Sequence, residues 1–186
     1  MLYSGSRFFF CVMGLIVLGT WFNPSFAQQG SENNPLLADP TIFFDKGVYY
    51  LYGTGGGKGD SDGFKVYTST DQQVWKDKGY ALKRGESYGT KGFWAPQVFK
   101  YKGKYYMAYT ANEHIAIAVA DHPAGPFRQE QIAPLEAPVN IIDPFVWMDP
   151  SGAIYLYHVR LQKGNRIFVA EMNESLTAMN ESTLKE

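Results

Sequence analysis

Residues 38–52 read ADPTIFFDKGVYYLY: an Asp-Pro pair, an apolar β-type run, a Gly-containing turn and a second, aromatic-rich run. The pattern returns twice. Ala95-Pro96 leads into QVFKYKGKYYMAY, ending at Tyr109, and Asp143-Pro144 leads into FVWMDPSGAIYLY, ending at Tyr157. Measured between the prolines, the copies lie 56 and then 48 residues apart. A period near 50 with one hairpin per unit points to a propeller or a similar all-β array. The run Val48-Tyr49-Tyr50-Leu51-Tyr52 does not alternate apolar with polar, so both its faces should be covered, as in a blade packed between neighbours.

A second strand-like element follows in each unit, at residues 64–69 and 115–120, and a third copy begins at 166–170. Two hairpins per unit predict four-stranded blades. The loop Thr54-Gly55-Gly56-Gly57-Lys58-Gly59 lacks the spacing and the following helix of a phosphate-binding motif, and reads as a blade loop on the ligand face. The tail, residues 171–186, is helix-permissive. Three units use up the chain, whereas closed propellers have about 4 to 8 blades. The expectation is therefore a chain that stops before its propeller closes.

Of 186 residues, 45% are hydrophobic and 16% aromatic, with 13 Tyr, 13 Phe and 19 Gly, a composition suited to strands joined by tight turns. The net charge of -1 gives no electrostatic reason to expect nucleic acid or an anionic membrane as partner. Residues 1–27 read as a signal peptide: Arg7 precedes an apolar run over residues 8–18, and Ser25-Phe26-Ala27 supplies small residues at the cleavage spacing. Residues 28–186 would then be an exported, periplasmic or extracellular protein without stable membrane association. The one cysteine, Cys11, would leave with the leader, removing disulfides and cysteine-based metal sites.

In a propeller the first strand of each blade lines the channel, so residues just before those strands crowd around one end of the axis. Asp39 and Asp143 should meet there, with Trp94 from the middle unit as an aromatic wall. Two acids and an indole in a funnel suit a carbohydrate, whose ring face stacks while carboxylates handle hydroxyls and protons. Arg160 reads either as a sugar ligand or as half of a structural ion pair, and His158 as a buried, satisfied histidine. Asp60 and Asp62 lack the spacing of a calcium loop. No cofactor is expected, and nothing in the sequence indicates a calcium at the channel centre.

Ala38-Asp39-Pro40, Trp94-Ala95-Pro96-Gln97-Val98 and Ile142-Asp143-Pro144, in that order, resemble the opening blades of glycoside hydrolase family 43, and Pro123-Ala124-Gly125-Pro126-Phe127 is similar to that family's second blade. The resemblance covers residues 34–176. It implies a β-propeller of the five-bladed type, about three blades of it here, and an inverting glycosidase of arabinofuranosyl or xylosyl linkages in plant polysaccharide. By position it implies Asp39 as general base and Asp143 as the carboxylate that orients the sugar and tunes the acid. It places the acid, a Glu, in a later blade; Glu171, Glu174, Glu181 and Glu186 are candidates by residue type alone. The chain by itself should then be inactive. Two alternatives stand beside this reading: a sugar-binding propeller without catalysis, and a retaining fructan- or sucrose-cleaving propeller. The second usually carries Asn-Asp-Pro-Asn-Gly, which Ala38-Asp39-Pro40-Thr41-Ile42 does not match.

Overall fold

The computed structural model describes residues 34–55 and 62–186; the expected leader over residues 1–27, Cys11 and Asp60 lie outside them. Within the described residues the chain forms three antiparallel sheets, each a meander in chain order. The first sheet holds β1 (Leu37–Asp45), β2 (Val48–Gly55), β3 (Gly63–Ser69) and β4 (Lys76–Lys83). The second holds β5 (Trp94–Tyr101), β6 (Lys104–Ala111) and β7 (His114–Ala120), and the third β8 (Ile141–Met148), β9 (Ile154–Leu161) and β10 (Asn165–Glu171). They are successive blades of an all-β propeller of the five-bladed type. Among the described residues helix is confined to one 3-10 turn, Glu181–Thr183. None is long and apolar enough to cross a membrane.

The first hairpins of blades 1 and 2 turn on Lys46-Gly47 and Lys102-Gly103. Both residues of each pair are left-handed, with φ of 49° and 83°, then 45° and 81°. That mirror-image turn matches the right-handed twist of the flanking strands, and glycine takes its second position without steric cost. Blade 3 uses a longer connection. There the Asp149 carboxylate accepts from the amides of Ser151 at 2.8 Å and Ala153 at 3.0 Å, a local bond that Asp is suited to make.

The core lies in the two seams between blades. Tyr52, Phe64, Phe93, Met107 and Tyr109 are buried between blades 1 and 2. Phe93 stacks on Tyr109, and Phe64 meets both rings edge-on at 5.7 and 5.5 Å. Ile115, Ile141, Leu156 and Leu176 fill the second seam. The middle strands carry this load: residues 50–53 of β2 and 107–111 of β6 are buried without interruption, which explains their lack of alternation.

Blade 1 has four strands, but in blades 2 and 3 the fourth element shrinks to single bridges, Val119 with Arg128 and Val169 with Lys185. In blade 2, Pro123 and Pro126 interrupt this segment and bring no amide for a ladder. It is used instead to tie two blades together. The Phe127 amide donates to the Ala81 carbonyl of β4 at 2.7 Å, and the buried Tyr52 hydroxyl donates to the Pro123 carbonyl. In blade 3 the tail forms turns and the short 3-10 segment rather than a longer helix, because Asn173 and Asn180 side chains capture the amides that follow them.

Candidate functional site

Each blade opens with the same irregularity. The pairing of its first strand with its second slips at the proline dipeptide, so that Asp39-Pro40 faces Gly53, Ala95-Pro96 faces Tyr109 and Asp143-Pro144 faces His158. Two residues opposite one make a β-bulge, which frees one amide from the ladder and re-aims a side chain. The residue before each proline is left-handed: φ is 46° at Asp39, 43° at Ala95 and 55° at Asp143. Left-handed backbone costs an L-residue about 1–2 kcal/mol, and short polar side chains such as Asp tolerate it best. Gly53 is required opposite the first bulge, since a Cβ there would lie 2.8 Å from the Ala38 carbonyl oxygen.

The freed amides cross to the preceding blade. Ala95 N–H donates to Thr54 Oγ1 at 2.9 Å, and Asp143 N–H donates to Thr110 Oγ1 at 2.9 Å. Thr54 in turn donates its hydroxyl proton to Asp39 Oδ2 at 2.8 Å. Blades 2 and 3 are joined lower down by Gln97, whose side-chain amide pairs with both main-chain groups of Val146, at 3.0 and 2.6 Å. Thr54, Thr110 and Gln97 were all missed by sequence reasoning. The signal for the threonines was present, because Thr54 and Thr110 stand 56 residues apart, as Asp39 and Ala95 do.

The two aspartates share one electrostatic neighbourhood. Burial, and then the negative charge of Asp39, push the Asp143 carboxyl above its ordinary value of 3.8, even though Asp143 keeps part of its surface open. A carboxyl whose folded value lies above its unfolded one contributes stability that is complete below the unfolded value. That contribution is lost as pH rises through the folded value. Ionised Asp143 therefore strains the site at neutral pH. Asp143→Asn should melt higher than wild type at pH 7, with the gain gone by about pH 3, where both proteins are neutral at this position. Thermal melts of the two proteins across that range check it; a lower midpoint at pH 7 contradicts it.

Trp94 is half-buried at the start of β5, one residue before the bulge. Its indole lies against Gly92, where an added Cβ would stand 3.1 Å from the ring and push it away. Arg160 lies on β9, paired with Ile141 two residues before Asp143, but it is only 4% exposed. Its Nη2 donates to both oxygens of Glu181 at 2.6 and 2.8 Å, and its Nε donates to His158 Nε2 at 3.2 Å. Of its two readings, the structure shows the ion pair. His158 is buried as expected, and burial pushes its imidazole below the ordinary range, which suits a neutral ring accepting from Arg160.

Three of the four tail carboxylates, Glu174, Glu181 and Glu186, are engaged as well. Glu174 pairs with Lys102 at 2.8 Å, Glu186 pairs with Arg166, and Glu181 holds Arg160. Asp62 is in an ion pair with Arg84 at 2.7 Å. Among the described residues no cluster of three or more His, Cys, Asp or Glu side chains stands ready for a metal ion.

The family described as glycosyl hydrolases family 43 matches residues 33–186. A xylosidase/arabinosidase 43A of Humicola insolens is 31% identical over 166 residues, covering 74% of this chain and 50% of that protein. An extracellular endo-α-(1→5)-L-arabinanase 2 of Bacillus subtilis is 25% identical, covering 86% of this chain and 40% of its own length. The crystal structure of an endo-1,4-β-xylanase from Bacteroides thetaiotaomicron superimposes with a TM-score of 0.77 at 43% identity, over 83% of this chain and 53% of that one. The chain thus spans about half the length of the relatives it matches.

Proposed function

Because the chain belongs to glycosyl hydrolases family 43, we propose that it carries two of the working carboxylates of an inverting glycosidase that hydrolyses arabinofuranosyl or xylosyl linkages in plant cell-wall polysaccharide. The observation that supports the reading is the pair of equivalent bulges at Asp39 and Asp143 in blades 1 and 3, together with the effect of the Asp39 charge on Asp143.

Asp39 is the general base. It takes a proton from water as the water oxygen bonds to the anomeric carbon, on the face opposite the breaking bond. The leaving oxygen departs with that bond's electron pair and takes its proton from a carboxylic acid of a later blade. Asp143 hydrogen-bonds the sugar and holds it in register, and its resistance to ionisation suits contact with hydroxyls in a partly dry site. Trp94 offers the face of its indole to the sugar ring. No general acid is assigned among the described carboxylates. Export belongs to the proposal, resting on the leader-like residues 1–27 and on the extracellular arabinanase among the relatives.

The test is the stereochemistry of the first product. Xylo- and arabino-oligosaccharides are incubated with the full-length protein, and the newly freed anomer is read by proton NMR before it mutarotates. Inversion is expected. A retained anomer would move the protein to the fructan-type mechanism, and calorimetric binding without hydrolysis would make it a sugar-binding propeller.

A further inference from the structure

We infer that Thr54 is a positioning residue for Asp39, holding the carboxylate by Oδ2 so that Oδ1 is the oxygen that takes the proton from water. The inference rests on the reading of Asp39 as base and extends it to a residue of the neighbouring strand and to a single oxygen.

A hydroxyl has one proton to give. Thr54 Oγ1 accepts from the Ala95 amide at 2.9 Å, and that bond orients the oxygen so that its proton is directed to Asp39 Oδ2, 2.8 Å away. The amide is available because Ala95 sits in the bulge, left-handed at φ 43° and out of register with β6. A relay therefore runs from the main chain of blade 2, through a side chain of blade 1, to the carboxylate. Hydrogen bonds that end on an ionised acceptor are stronger than neutral ones. One lone pair of Oδ2 is thereby engaged, whereas among the described residues no hydrogen bond reaches Oδ1, which keeps both its lone pairs for a water molecule.

Thr110 separates the relay from a general need for threonine. It also accepts the amide of the next blade's bulge, from Asp143 at 2.9 Å, yet the residue equivalent to Asp39 in its own blade is Ala95, so it has no carboxylate to hold. In blade 3 the corresponding place, across from the residue before the bulge, is filled by Val159. A β-branched apolar side chain thus fits this strand position in the same fold, and a valine variant of Thr54 should be accommodated.

Thr54→Val and Thr54→Ser are made in the full-length protein and assayed beside Asp39→Asn, with melting temperature, kcat and KM measured for each. Thr54→Val should lose about tenfold or more in kcat, with KM within about twofold and the melting temperature within a few degrees of wild type. Thr54→Ser, which restores the hydroxyl, should recover most of the rate. Should Thr54→Val not fold, Thr54→Ala is read in its place with the same expectations. Unchanged kcat in the hydroxyl-free variant, or a serine variant as slow as it, overturns the inference while a dead Asp39→Asn leaves the base standing. Turnover by Asp39→Asn within about tenfold of wild type removes the base, and the role of Thr54 with it.

Discussion

Replacing Asp39 with Asn in the full-length protein should lower kcat by about 10²–10⁴-fold, the usual worth of a positioned general base, while sugar affinity stays near that of wild type. The substitution is a clean one for physical reasons. Asn has the size of Asp and is among the few side chains at ease at positive φ, so the backbone at φ 46° should persist. Its carbonyl oxygen can still accept from Thr54, which bonds Asp39 Oδ2 at 2.8 Å. What disappears is the negative charge and the ability to take a proton. A large fall in kcat with unchanged calorimetric affinity would assign Asp39 to the chemical step. Turnover within about tenfold of wild type would sink its role as base.

The second large effect concerns stability. Gln97→Leu should destabilise the protein by about 2–4 kcal/mol, because it strips the partners from both main-chain groups of Val146 and each buried polar group left unsatisfied costs about 1–3 kcal/mol. Gln97 bridges β5 to the edge of β8 that β9 does not use, donating to the Val146 carbonyl at 3.0 Å and accepting from its amide at 2.6 Å. At roughly 2–4 °C per kcal/mol for a protein of this size, the melting temperature should fall by about 5–15 °C. Gln97→Glu sharpens the test. Its carboxylate keeps an acceptor for the Val146 amide but turns an oxygen toward the Val146 carbonyl, so it should be damaged at pH 7 and partly recover in acid, where protonation restores a donor. A leucine variant melting within about 1 °C of wild type would show that Val146 finds other partners.

The parts of the site that were legible in advance share one property: each is written within a single repeat. Asp39-Pro40 and Asp143-Pro144 mark the starts of their units locally; the bulges they form there, where proline brings no ladder donor and Asp tolerates the left-handed backbone before it, appear only in the fold. The parts that were not legible are contacts between residues far apart in the chain. Thr54 stands 41 residues from the Ala95 amide that orients it, and Gln97 stands 49 from Val146. Arg160 could be a sugar ligand or an ion-pair partner until the chain's tail is folded back, 21 residues on, to bring Glu181 against it.

The repeat, its hairpins, the all-β architecture and the two aspartates at matching positions were legible from the residues alone, because strand-forming runs, turn chemistry and proline all act over a few neighbouring residues. It took the folded chain to show which cations Glu174, Glu181 and Glu186 meet and which hydroxyl donates to Asp39. Those outcomes depend on groups tens of residues apart meeting in the fold, a distance in sequence over which no local preference acts.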